Sequence, residues 1–176
     1  MLRAGVWILA ALLAAAAGWS DWRSRRIPNW LTVPGLLLGV AANGLAYGWV
    51  GVRDSLLGAG LGLLLLLPFV VVRSLGAGDW KLVGAVGAFL GPKHLLVVLM
   101  GAVLVAGAMA VVLIVWKKRV GQTLRNLGRM LVAFFTFHLP GPEVSLDNPE
   151  SLKVPFGVAV AVAVLLYTAT QAWGVS

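Results

Sequence analysis

The sequence contains no cysteine, two histidines and six acidic residues, and each shortage removes a class of chemistry. Without cysteine there is no disulfide, no thiolate metal site and no cysteine nucleophile, although a bilayer core needs no cross-links and the compartment stays open. Charged residues make up 11% of the chain against 60% hydrophobic, and the mean hydropathy is +0.95. That leaves too little polar surface for a water-soluble globule. Serine chemistry has no support, because Ser20, Ser24 and Ser74 have no neighbouring base in the sequence. His94 and His138 are predicted on opposite faces of a membrane and read as interfacial residues; no metal or cofactor is called for.

What is present is apolar sequence. Runs at Ala4 to Trp19, Trp30 to Val50, Ser55 to Val72, Trp80 to Leu90, Leu95 to Trp116 and Val154 to Trp173 are separated by polar or Gly/Pro breaks. A span needs roughly 20 apolar residues, so a chain of this length holds about six helices and no second domain. The prediction is an all-α polytopic membrane protein with one membrane domain over residues 1–176. Tryptophans at the run ends, Trp19, Trp30, Trp49, Trp80, Trp116 and Trp173, suit the interface with lipid headgroups. Pairs such as Gly35 with Gly39 and Gly87 with Gly91, and the series Gly58, Gly60 and Gly62, read as faces where helices approach closely.

The net charge of +8 has two readings, nucleic-acid binding or membrane topology. With Met1 outside, eleven of the fourteen basic residues fall on the inner face, and Arg3, Arg53 and Lys93 remain outside. The asymmetry favours topology, with both termini outside, membrane lipids as surroundings and no nucleic-acid partner. The first run also fits a signal peptide, with Arg3, an apolar core and Ala15 to Ala17 before a cut. The heavier cluster Arg23, Arg25 and Arg26 follows the run instead, which favours a retained anchor. Between residues 117 and 153 lies the one long polar stretch. Its first part, Val120 to His138, has the spacing of an amphipathic helix on the inner surface, and Leu139 to Pro149 reads as a loop.

Four of the six acids have ordinary settings: Glu143, Asp147 and Glu150 in the inner polar stretch and Asp54 in an outer turn. Asp21 and Asp79 adjoin spans on the inner face, where ionisable groups are costly and commonly functional. At 1.5 Å per residue Asp21 lies about 27 Å from Arg3 and Asp79 about 21 Å from Lys93, so both reach similar depth. The short fourth run predicts that the glycine turn before it dips into the membrane and lines a wet cavity. In Gly76-Ala77-Gly78-Asp79 the glycines allow positive φ and close approach, and Asp79 stands either as an N-cap of the next helix or as a catalytic acid. Asp21 taken alone reads instead as a solvated juxtamembrane partner of Arg23 or Arg25.

The residues together resemble a known family. Asp21 followed by Ile27-Pro28-Asn29, and Gly76-Ala77-Gly78-Asp79-Trp80-Lys81 running into Leu82 to Pro92, resemble the type IV prepilin peptidases. Lys153-Val154-Pro155-Phe156-Gly157 resembles the start of that family's last helix. The resemblance implies an aspartyl endopeptidase of the bacterial inner membrane, with Asp21 and Asp79 catalytic. It would cleave the basic leader from prepilin-like or pseudopilin precursors at the cytoplasmic face. It also implies support from Gly76, Gly78, Ile27, Pro28 and Asn29, with Lys81 orienting or neutralising the dyad or else emerging toward headgroups. Larger members carry a cytoplasmic segment with paired cysteines and N-methylate the new terminus; this chain resembles the compact, peptidase-only branch. In such a pair one carboxylate takes a proton from water while its protonated neighbour polarises the scissile carbonyl. Another GxGD peptidase, of preflagellin or presenilin type, and a proton-coupled transporter are the competing readings; two acids near one face fit a transporter's midplane site poorly. An inactive assembly subunit would tolerate loss of either aspartate.

Overall fold

The computed structural model describes residues 2–72, 74–117, 121 and 154–172, and over these it is helical with short connections. Its four helices are α1 (Leu2–Ser24), α2 (Asn29–Val71), α3 (Ala77–Trp116) and α4 (Phe156–Ala172). The first three are long and apolar enough to cross a membrane, and α4 is apolar but shorter. The expected amphipathic helix and loop beyond Lys117 lie outside the described residues, as do Arg73, His138 and Trp173.

Six runs lie within four helical elements because α2 and α3 each contain two runs, joined by a turn at a glycine. Gly48 (φ 65°) divides α2 and Gly91 (φ 72°) divides α3, both in a region that side-chain-bearing residues avoid. Each long helix is therefore a hairpin. A Cβ placed on Gly51 would collide with the carbonyl oxygen of Asn43, although eight residues along a straight helix would separate them by about 12 Å. Pro92 opens the second half of α3, where a missing N–H leaves no helical bond unmade.

The hairpins meet along a seam of small residues. A Cβ on Gly58 would strike the Gly87 carbonyl oxygen, one on Gly39 would lie 2.9 Å from the Ala88 methyl, and one on Gly62 would lie 2.9 Å from Val83 Cγ1. Gly60 departs from the expected series: a Cβ placed there has nothing within 4 Å among the described residues, so that position faces open space. Leu82, Val83, Val86, Leu95, Val98, Val160 and Val164 form the fully buried centre, while Leu37, Leu64, Leu104 and Trp116 point outward, the arrangement of a bundle solvated by lipid. Trp80 is partly buried and its Nε1 donates to the Leu63 carbonyl at 2.7 Å.

Two buried polar side chains close the seam. Asn43 Nδ2 donates to the carbonyls of Ala88 (2.9 Å) and Phe89 (3.0 Å), and Ser55 Oγ donates to that of Ala88 at 2.6 Å. These carbonyls lie in the last turn before the break at Gly91, where a helix runs out of its own donors. Asn43→Leu is expected to lower stability by about 1–3 kcal/mol, the cost of taking that donor from the buried Phe89 carbonyl while Ala88 keeps Ser55. Thermal unfolding in detergent measures it, and an unchanged midpoint would contradict this role for Asn43.

Candidate active site

The site is assembled at the ends of three helices. α1 stops at Ser24 because Arg25 adopts the left-handed conformation common after helices (φ 53°), its N–H donating to the Asp21 carbonyl at 2.9 Å. Ser20 Oγ donates to the Arg26 carbonyl at 2.8 Å, and Ser24 Oγ reaches the same carbonyl at 3.3 Å. These bonds fold the chain back, and Ile27 is buried between the starts of α3 and α4, close to Gly78 and Gly157. Pro28 then starts α2, its carbonyl accepting from the amides of Leu31 and Thr32. On that last turn of α1, Asp21 is only 6% exposed.

Asp79 comes from the start of α3. The helix begins at Ala77 with Gly76 as N-cap and no side-chain capping bond, which places Asp79 in the first turn instead of at the cap. The capping alternative therefore fails on geometry. The extra turn also lengthens the short fourth run, to about 21 Å for residues 77–90. An acid in a first turn is favoured by the helix dipole, yet Asp79 Oδ1 is buried and has no hydrogen-bond partner among the described residues. Such an orphaned oxygen is uncommon in a native structure.

The glycines act through space and not through φ. Gly76 is extended (φ −69°) and Gly78 helical, so neither uses the positive φ expected of them. A Cβ on Gly76 would lie 3.1 Å from Asp79 Oδ2, and one on Gly78 would lie 3.1 Å from the Ile27 carbonyl oxygen. Gly78 thus lets α3 rest on the Ile27 backbone.

The third wall is the first turn of α4. Val158 N–H donates to Asp21 Oδ2 at 3.3 Å, and the Gly157 amide faces both carboxylates. Asp21 and Asp79 are close enough for one charge to act on the other. Two carboxyl groups around a shared amide, one with an unpartnered oxygen, can exchange protons with a water and a peptide carbonyl.

Of the residues anticipated from sequence, Asp21, Asp79, Gly76, Gly78 and Ile27 meet here. Pro28 and Asn29 sit just behind. Lys81 Nζ donates to Asn29 Oδ1 at 3.0 Å, tying α3 to the start of α2, so its hydrogen bond goes to an amide and not to a carboxylate. Sequence reasoning missed the donors Gly157 and Val158 and the loop ties made by Ser20 and Ser24. Backbone amides carry no signature of residue type, whereas the Ser20/Ser24 spacing at the end of a helix, just before Arg25 and Arg26, was a usable cue.

The fold and the site define an all-helical membrane protein with a two-carboxylate centre at one end of its bundle. The chain belongs to the type IV leader peptidase family, whose match covers residues 7–112, more than half its length. That match contains Asp21, the Ile27-Pro28-Asn29 element and Gly76 to Lys81, and ends before α4. The chain is also 29% identical over 180 aligned residues to the prepilin leader peptidase/N-methyltransferase of Myxococcus xanthus (strain DK1622), covering 78% of this chain and 53% of that protein. It therefore spans about half the length of that relative. No solved structure matches it.

Proposed function

We propose that the protein is an aspartic endopeptidase of the bacterial inner membrane that removes the basic leader from type IV prepilin-like precursors at the cytoplasmic face. The observation that carries this reading is the meeting of Asp21 and Asp79 around the Gly157 amide, with Asp79 Oδ1 left without a partner among the described residues. In the first step one carboxylate accepts a proton from water as the water oxygen bonds to the scissile carbon, and the carbonyl oxygen takes the proton of the other carboxyl group. In the second step the C–N bond breaks, the leaving nitrogen takes up the first proton, and the second returns to its carboxylate. The chemistry needs no cofactor. Family membership and the likeness to the Myxococcus xanthus protein support the choice of substrate. Membranes containing the protein, incubated with candidate prepilins, are expected to produce the gel shift of leader loss; intact precursor in every case would oppose the assignment.

The proposed topology has six spans in one membrane domain, formed by α1, the two halves of α2, the two halves of α3, and α4, with both termini outside. The glycine hairpins support it, as do Arg53 and Lys93 on the far side of the breaks from Asp21 and Asp79. The cysteine-free chain makes labelling simple. Cysteines placed at Arg26 and Lys117 are expected to resist an impermeant reagent added outside, and one at Arg53 to react. The reverse pattern would invert the orientation.

A further inference from the structure

The first turn of α4 lies beyond the matched segment, yet its Val158 N–H donates directly to the Asp21 carboxylate. Building on the reading of Asp21 and Asp79 as a catalytic pair, we propose that Gly157 and Val158 are positioning residues of the peptidase, whose amides hold the Asp21 carboxylate in its working orientation.

Three observations carry this. The leading amides of a helix have no intrahelical acceptor, so those of residues 157 and 158 are available, and Val158 N–H is bonded to Asp21 Oδ2. Position 157 also has no room for a side chain: a Cβ there would lie 2.8 Å from Ile27 Cδ1, 3.0 Å from Asp21 Oδ2 and 3.1 Å from Asp21 Cβ. Finally, α4 is fixed to the helix that carries Asp21. A Cβ on Gly18 of α1 would lie 2.6 Å from the Ala161 methyl, and Val160 and Val164 are fully buried.

The terminal torsion of an aspartate is soft, and packing alone defines it poorly. Two amides at the positive end of a helix dipole supply the missing restraint, for the charged form above all.

Val158→Pro deletes the donor at a first-turn position where proline is tolerated. Single-turnover cleavage of a prepilin is expected to slow by about tenfold or more, with KM within about twofold, because the bond serves the reacting geometry and not the resting complex. Gly157→Ala is expected to slow cleavage similarly, and adding Ile27→Val, which trims the Cδ1 atom, is expected not to restore it, since the collision with Asp21 remains. Gly60→Ala, facing outward, is the unchanged control.

Wild-type turnover in well-folded Val158→Pro, or full rescue of Gly157→Ala by Ile27→Val, would overturn the proposal, as would a rise in KM at unchanged kcat. Should Val158→Pro not fold, the Gly157→Ala pair decides alone. Asp21→Asn and Asp79→Asn run in parallel separate the two readings. Inactive aspartate variants beside a normal Val158→Pro reject only the positioning role, whereas active aspartate variants reject the dyad itself.

Discussion

Asp21→Asn and Asp79→Asn are each expected to reduce leader cleavage by about 10²–10⁴-fold, the span associated with loss of positioned acid–base catalysis, while expression and membrane insertion stay near normal. Asparagine keeps the size of aspartate and, at position 21, an oxygen to accept the Val158 N–H. It cannot carry a proton between water and peptide. If Asp21 were only an ion-pair partner of the arginines that follow it, its loss would be felt in stability and would spare turnover. At position 79 a capping role would let asparagine substitute well, and the structure already places Asp79 inside the helix, after the cap. The double variant is expected to be no slower than the worse single one, because groups acting as one unit do not add. The check is single-turnover cleavage of one precursor at matched protein level; substantial activity in either single variant removes that aspartate from the mechanism.

How far the sequence carried depended on what each feature is made of. Apolar runs disclosed an all-helical membrane protein, because the length of hydrocarbon to be crossed is written directly into composition. The breaks in those runs put chain reversals near 51–54 and 91–94, but did not disclose which residues make them, since in sequence Gly48 and Gly91 look like their neighbours Gly44, Gly51 and Gly87 and only their φ separates them. Asp21 and Asp79 stood out because so few acids exist and the other four had ordinary settings. The partners of the pair were hidden for the opposite reason: Gly157 and Val158 contribute amides that every residue except proline possesses. Lys81 was legible as a cation near the site, but which oxygen it reaches depends on where the 25–28 turn delivers Asn29, and that is a property of tertiary packing. In the same way Gly58, Gly60 and Gly62 look alike on paper, yet packing against α3 tightens only the first and last.

That distinction between glycines decides the second large effect. Gly78→Val is expected to lower the cleavage rate by about 10²-fold or more, the size of loss that follows when a catalytic group moves by about 1 Å. The backbone at Gly78 is helical, so valine brings no φ strain, and the damage comes from contact. Its Cβ would already lie 3.1 Å from the Ile27 carbonyl oxygen, 3.2 Å from Ile27 Cβ and 3.4 Å from the Ile27 nitrogen, before its two γ carbons are placed. Ile27 cannot yield, because its backbone belongs to the turn held by Ser20, Ser24 and Arg25 and its side chain is buried against Gly157. The start of α3 must shift instead, and Asp79, one residue on, shifts with it relative to Asp21. Gly62→Val provides the contrast: there the new Cβ would lie 2.9 Å from Val83 Cγ1 and 3.1 Å from the Val83 carbonyl oxygen, in the α2–α3 seam, so yield and thermal stability are expected to fall first. At Gly60 a Cβ has nothing within 4 Å among the described residues, so Gly60→Val is expected to match the parent in both yield and rate. Measuring protein yield, unfolding temperature and single-turnover rate for the three variants separates loss of the fold from loss of the site, and a well-folded Gly78→Val protein that cleaves at the normal rate would show that the contact between α3 and Ile27 does not hold the aspartates in register.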